Sequence, residues 1–335
     1  MREIPCFLCR CWDPHGRRRK KEPSKQNMNK YKCHFCTTCN GTGCIDQMPG
    51  MGGVNRNVNF RLNCDGWEVC RKENPLSFIN FLERPVKERI PKIGVAPITG
   101  AIENIGWPEE KDWYIQFFKA CTDCGLQICA GDGTPDEKLM FGIEAVKNLQ
   151  KTIPETKATF FIKPFQNEKL LEHINQALPF ASHIGIDIDS YNISTMQNLV
   201  PLEKKSAEDL LFFKDYVNSR KIPFVIKGVF TKEDIELIKK VKPDVAYISN
   251  HGGRVETSCG STAEFLQNFA EELHEYSKEV WVDGGIRTPL DISTAMAFGA
   301  DRVLIGRPFI SAYCKGGADL LCKKVLELSL LNYSK

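Results

Sequence analysis

Along most of the chain, short apolar and β-branched runs alternate with longer stretches in which apolar residues recur every three to four positions. The first pattern marks buried strands; the second marks helices that lay one face on a core. Strands are predicted at residues 93–97, 126–130, 159–163 and 183–189, and at runs opening on Val225, Tyr247, Val280 and Arg302. Helices are predicted at 113–124, 207–218, 231–241, 262–276 and 289–298. Strand–loop–helix units in this order build a parallel α/β sheet, and eight of them make a (β/α)8 TIM barrel, placed over residues 91–335.

In such a barrel the residues just after each strand meet at one rim, where active sites sit. The later strands break abruptly there into glycine and charged groups: Lys227, then Ser249, His251 and Arg254, then Asp283, Gly284, Gly285 and Arg287, then Gly306 and Arg307. The first strand ends in Ala96 and Pro97, which leaves backbone groups free to contact a flat ligand. Asp187 and Asp189 either cap the turn after the fourth strand, the favoured reading, or face the site, and Lys163 is expected to reach solvent from the rim. The long connection at 190–206 is placed at the same rim, as a substrate contact or lid.

Before residue 90 the pattern changes. Cysteine becomes dense, and no periodic apolar run is read before Leu76. Residues 1–90 are therefore taken as a cysteine-rich lobe. Cys33, Cys36, Cys39 and Cys44 lie within one short stretch, and thiolates at two-residue gaps can wrap one metal centre. Zinc, an iron–sulfur cluster and unliganded thiols all remain open, because the last gap fits neither metal pattern.

Composition adds limits. A formal charge of +3 over 335 residues gives no argument for a nucleic-acid partner. The basic run at 17–21 lacks interleaved aromatics and reads as a solvated segment. No run is long enough to span a membrane, so a cytoplasmic protein is expected. Fifteen cysteines are too few for a disulfide scaffold of this length and suggest metal or redox work.

Four motifs in register on successive strands carry a resemblance. They are Lys227-Gly228, Ser249-Asn250-His251-Gly252-Gly253-Arg254, Asp283-Gly284-Gly285-Ile286-Arg287 and Gly306-Arg307-Pro308. Together they resemble the FMN-dependent α-hydroxy-acid oxidase and dehydrogenase family, in a divergent, cysteine-bearing branch seen in anaerobic bacteria. The resemblance implies oxidation of a 2-hydroxy acid to the 2-oxo acid, with His251 as base, Arg254 on the substrate carboxylate and Lys227 beside the flavin. It implies FMN contacts from Ala96, Pro97, Lys227, Ser249, Asp283, Gly284, Gly285, Arg287, Gly306 and Arg307. It also implies a homo-oligomer and leaves the electron acceptor unknown. The family tyrosines are missing: the third strand continues as Lys163-Pro164-Phe165. Another FMN-binding barrel enzyme, of isomerase or amidotransferase-linked type, and a non-catalytic flavin or metal sensor are the alternatives.

Overall fold

The computed structural model describes residues 58–105, 107–193 and 200–329. Eight parallel strands follow the predicted order: β1 (Ile93–Val95), β2 (Ile128–Gly131), β3 (Ala158–Ile162), β4 (Ala181–Asp187), β5 (Phe224–Val229), β6 (Val245–Ile248), β7 (Glu279–Val282) and β8 (Arg302–Ile305). From β2 to β8 each strand pairs with its sequence neighbour, and β1 pairs with β8 through Ile93–Val303, Gly94–Leu304 and Val95–Ile305. Between β1 and β2 only two isolated bridges form, Gly94–Gln127 and Ile98–Ala130. The chain is a (β/α)8 barrel.

Most strand residues are buried because helices cover the outside and side chains fill the inside. The lumen is packed by Cys129, Phe161, Val225, Val245, Tyr247, Trp281 and Leu304. The helices named in advance are α4 (Glu110–Asp123), α7 (Ala207–Asn218), α8 (Lys232–Val241), α9 (Thr262–His274) and α10 (Pro289–Ala297). Ser206, Thr231 and Thr288 each close a capping box with an aspartate three residues on, which fixes where α7, α8 and α10 begin. The last helix, α11 (Arg307–Ser329), is broken at Gly316 and Gly317 and joined to α4 by a Cys124–Cys322 disulfide.

Before β1 lie α1 (Val58–Glu73) and α2 (Pro75–Glu83). No helix was expected at α1, because its buried face mixes Phe60, Trp67 and Cys70 with Asn59 and Asn63. Two amides in that face dilute the apolar period. The polar positions are satisfied by the barrel: Asn59 Nδ2 donates to the carbonyls of Val255 and Ser258, each at 2.8 Å. Cys33, Cys36, Cys39 and Cys44 lie outside the described residues.

Candidate active site

A cleft of about 650 Å³, part of it open to solvent, lies at the carboxyl ends of the strands. It is lined by Ala96 and Pro97 after β1, Lys227 in β5, His251 and Arg254 after β6, Asp283 to Arg287 after β7, and Gly306 to Pro308 after β8. Every predicted site residue among those described lines it, with one exception. Ser249 is fully buried behind the loop, where its hydroxyl accepts the backbone N–H of His251 at 3.2 Å.

The loop after β6 is held from below. Asn250 Oδ1 accepts the Gly253 N–H at 2.9 Å, and Asn63 on α1 exchanges amide bonds with Asn250. His251 adopts φ +54°, uncommon for a side chain with Cβ, and this turns its imidazole toward β4 and β5. Asp189 Oδ2 lies 2.8 Å from its Nδ1 and Asp187 Oδ2 lies 2.9 Å from its Nε2. Lys227 Nζ donates to Asp187 Oδ1 at 2.8 Å and stands 3.3 Å from the same Nε2. The expectation for both aspartates is thus corrected: their carboxylates face the site. Asp189 can come so near because Gly228, at φ +97°, carries no Cβ; one there would lie 2.5 Å from the Asp189 carboxyl carbon.

These groups set one another's protonation. Burial alone favours the neutral forms, yet the facing charges of His251 and Lys227 hold the Asp187 carboxyl well below the usual carboxylate range. Burial pushes Asp189 up, and this outweighs the pull of His251. Burial opposes a charged His251, but Asp187 and Asp189 win and raise it. The same contest raises Lys227, through Asp187, Asp189 and Asp283. Burial lowers Arg254, which faces Asp187 and Asp189.

On the opposite side of the cleft, Gly284 and Gly285 take φ +94° and +74°. Trp67 of α1 donates its indole N–H to the Gly284 carbonyl at 2.9 Å. Arg287 and Arg307 both place their guanidiniums over the Phe60 ring, at 5.8 and 4.9 Å from its centroid. Arg307 also donates to the Gly252 carbonyl at 3.1 Å, tying the β8 end to the histidine loop. Asp283 Oδ2 accepts the Tyr247 hydroxyl at 2.7 Å, while Oδ1 is buried with no partner among the described residues.

Lys163 does not reach solvent as expected. Its side chain is 12% exposed, and its ammonium donates to the Asp132 backbone carbonyl and, at 3.3 Å, to Asp132 Oδ1, next to His173. Asp132 and Lys163 do not line the cleft. Sequence reasoning missed Asn59, Asn63, Phe60 and Trp67. The only available signal was two asparagines four residues apart, which place both amides on one helix face.

The barrel rim combines positive-φ glycines and two arginines with a buried histidine–carboxylate–lysine cluster, a chemistry suited to an anionic ligand. Residues 181–328 match the FMN-dependent dehydrogenase family. A 2-hydroxyacid oxidase of Dictyostelium discoideum is 39% identical over 112 residues, 33% of this chain and 28% of that one. An L-lactate dehydrogenase of Vibrio parahaemolyticus is 39% identical over 116 residues, 34% and 30% of the two chains. The match thus spans less than a third of the length of either relative. A solved mandelate oxidase bound to benzoyl-formic acid superposes with TM-score 0.60 at 19% identity, covering 85% of this chain and 88% of that one. That likeness shows the fold.

FMN, the family's cofactor, fits the residues present. Asp283 Oδ1 is a buried acceptor with no donor among the described residues, as a ribityl hydroxyl requires. Arg287 and Arg307 supply charge beside the glycine turn, as a phosphate requires.

Proposed function

We propose that the protein binds FMN in this cleft and oxidises a 2-hydroxy acid to the 2-oxo acid. The observation that carries the reading is the convergence of His251, Arg254 and Lys227 in the cleft that also holds the Gly284–Gly285 turn and Arg307. The match of residues 181–328 to FMN-dependent dehydrogenases, and the 2-hydroxyacid oxidase and L-lactate dehydrogenase among the relatives, support the same chemistry.

Gly284, Gly285, Gly306, Arg287 and Arg307 hold the phosphate, and Asp283 accepts from the ribityl chain. Ala96 and Pro97 pack against the ring and Lys227 faces its edge. Ser249 acts from behind, by fixing the histidine loop. Bound there, FMN supplies the acceptor for a hydride.

Arg254 grips the substrate carboxylate through its planar fork. His251 takes the hydroxyl proton, so the O–H bond breaks as an N–H bond forms, and the carbonyl forms as the Cα hydrogen leaves with its electron pair. The imidazolium is stabilised by Asp189 at Nδ1. The electron acceptor is unassigned, and a homo-oligomer in the cytoplasm completes the reading. Cys33, Cys36, Cys39 and Cys44 are read as an iron–sulfur or zinc site; anaerobically purified protein lacking iron, sulfide and zinc would remove that part.

The test is an absorption spectrum of anaerobically purified, FMN-loaded protein before and after addition of L-2-hydroxy acids. Bleaching of the flavin bands by one of them supports the reading. His251→Asn should retain FMN and lose about a hundredfold or more in bleaching rate. A flavin that no hydroxy acid bleaches overturns it.

A further inference from the structure

Lys227 is placed to lend positive charge to a bound flavin, yet its surroundings withhold that charge. Its side chain is 3% exposed and ends 2.8 Å from Asp187 Oδ1. The other oxygen of the same carboxylate meets His251 Nε2 at 2.9 Å. Asp187 therefore bridges the two groups that the proposed chemistry uses, and both of its oxygens are occupied.

The charged groups facing this centre come from each packed strand end. They are Asp187 and Asp189 from β4, Lys227 from β5, His251 and Arg254 from the loop after β6, and Asp283 after β7. With His251 protonated, three cations face three carboxylates and the centre is neutral. With His251 neutral, as a base must be, the centre carries one net negative charge. Asp189 sits against Nδ1 of the histidine, so it belongs to the base. Asp187 sits on the lysine, and of the three carboxylates facing that cation it is the one hydrogen-bonded to it.

We propose that Asp187 is a charge-setting residue: it neutralises Lys227 and thereby weakens the site's support for negative charge on bound flavin. The inference rests on the FMN reading above. A second consequence follows from the same geometry. A substrate hydroxyl reaches Nε2 only by taking the place of the Asp187 oxygen, so substrate binding frees Asp187 from the base.

Sulfite is the probe. Its sulfur lone pair forms a bond to flavin N5, and the electron pair displaced from the ring ends as negative charge at the N1–C2 carbonyl edge; no oxidant or proton is required. FMN-loaded wild type should bind sulfite with Kd weaker than about 1 mM. Asp187→Asn, which keeps the shape and removes the charge, should tighten sulfite binding at least about tenfold, as should Asp187→Thr. The flavin midpoint potential should rise in both variants.

Wild-type binding tighter than about 1 mM overturns the proposal even if neither variant folds. Equal sulfite affinity and equal potential in wild type and variants overturn it too, while leaving the FMN reading intact. Failure of the wild type to take up FMN overturns both, and is visible before any sulfite is added.

Discussion

Asn63 of α1 and Asn250 of the histidine loop, 187 residues apart, exchange amide hydrogen bonds: Nδ2 of Asn63 donates to Oδ1 of Asn250 at 2.8 Å, and Nδ2 of Asn250 returns one at 3.2 Å. Asn63 Oδ1 also accepts the Thr262 N–H at 3.0 Å. Asn63→Ala takes the acceptor from two buried donors, Asn250 Nδ2 and the Thr262 N–H, while Asn250 Oδ1 keeps the Gly253 N–H; it should cost about 2–3 kcal/mol of stability. It should also slow flavin bleaching, because the residue preceding His251 loses its anchor. Urea unfolding followed by intrinsic fluorescence reads the first effect, and stopped-flow absorbance of FMN-loaded protein reads the second. Unchanged values in both would show that α1 is only a cover.

The same helix presses on the Gly284–Gly285 turn. A Cβ on Gly285 would stand 1.8 Å from the Asn63 carbonyl oxygen, at a φ of +74°. Gly285→Ala should therefore displace α1 and weaken FMN binding by tenfold or more, on top of about 1–2 kcal/mol of backbone strain. Gly125→Ala is the control: its φ is +76° but nothing lies within 4 Å of the added carbon. That variant should lose only the strain term and keep its FMN affinity, measured by fluorescence quenching.

His183 stacks edge-on to Trp281 at 5.0 Å at the other end of the barrel. Burial, and then the Arg302 charge, push it down to about 4 from 6.5. A depressed histidine stays neutral in the fold while the unfolded chain takes up a proton below pH 6.5. Its contribution is full above pH 6.5 and is lost as pH falls toward 4, on the order of 2–3 kcal/mol in total. His183→Gln should flatten the stability profile in that window, read from denaturant midpoints at pH 7 and pH 5. His251 runs the other way, because its pKa is raised. Its stabilising contribution is full below pH 6.5 and fades as pH rises through the folded value.

The Cys124–Cys322 bond closes a separation of 198 residues. Reduction, or Cys124→Ser, should cost roughly 2–4 kcal/mol, chiefly by freeing the unfolded chain. Thermal melts with and without reductant measure it. Mass spectrometry after thiol alkylation, showing Cys124 and Cys322 both labelled in native protein, would contradict the bond.

Much of the barrel was legible because strands and crossover helices obey local rules. The helix at 207–218 was placed to the residue, since Ser206 and Asp209 cap its start. α8, α9 and α10 each fell within two residues. The glycine and charged motifs after β5 to β8 were legible for the same reason, since strand ends are fixed points in this fold. α1 was not, because its buried face is satisfied by hydrogen bonds to loops near residue 255 rather than by apolar packing alone. Asp187 and Asp189 were misread because a carboxylate after a strand can cap a turn or face a lumen. Only the partners, Lys227 and His251, decide which. Lys163 was misread in a similar way, its partner Asp132 being 31 residues away.

The barrel's strands are continuously hydrogen bonded all the way round except between β1 and β2, where two isolated bridges are all that closes it. A cylinder with one thin seam opens there first. Amide protons along 93–98 and 127–131 should thus be the earliest of any strand to exchange with deuterium. Ala96 and Pro97 border the seam, so the wall facing a flat ligand is also the wall that breathes. The α4–α11 disulfide stitches the two helices that flank β1, and its reduction should speed that exchange before any other change is seen.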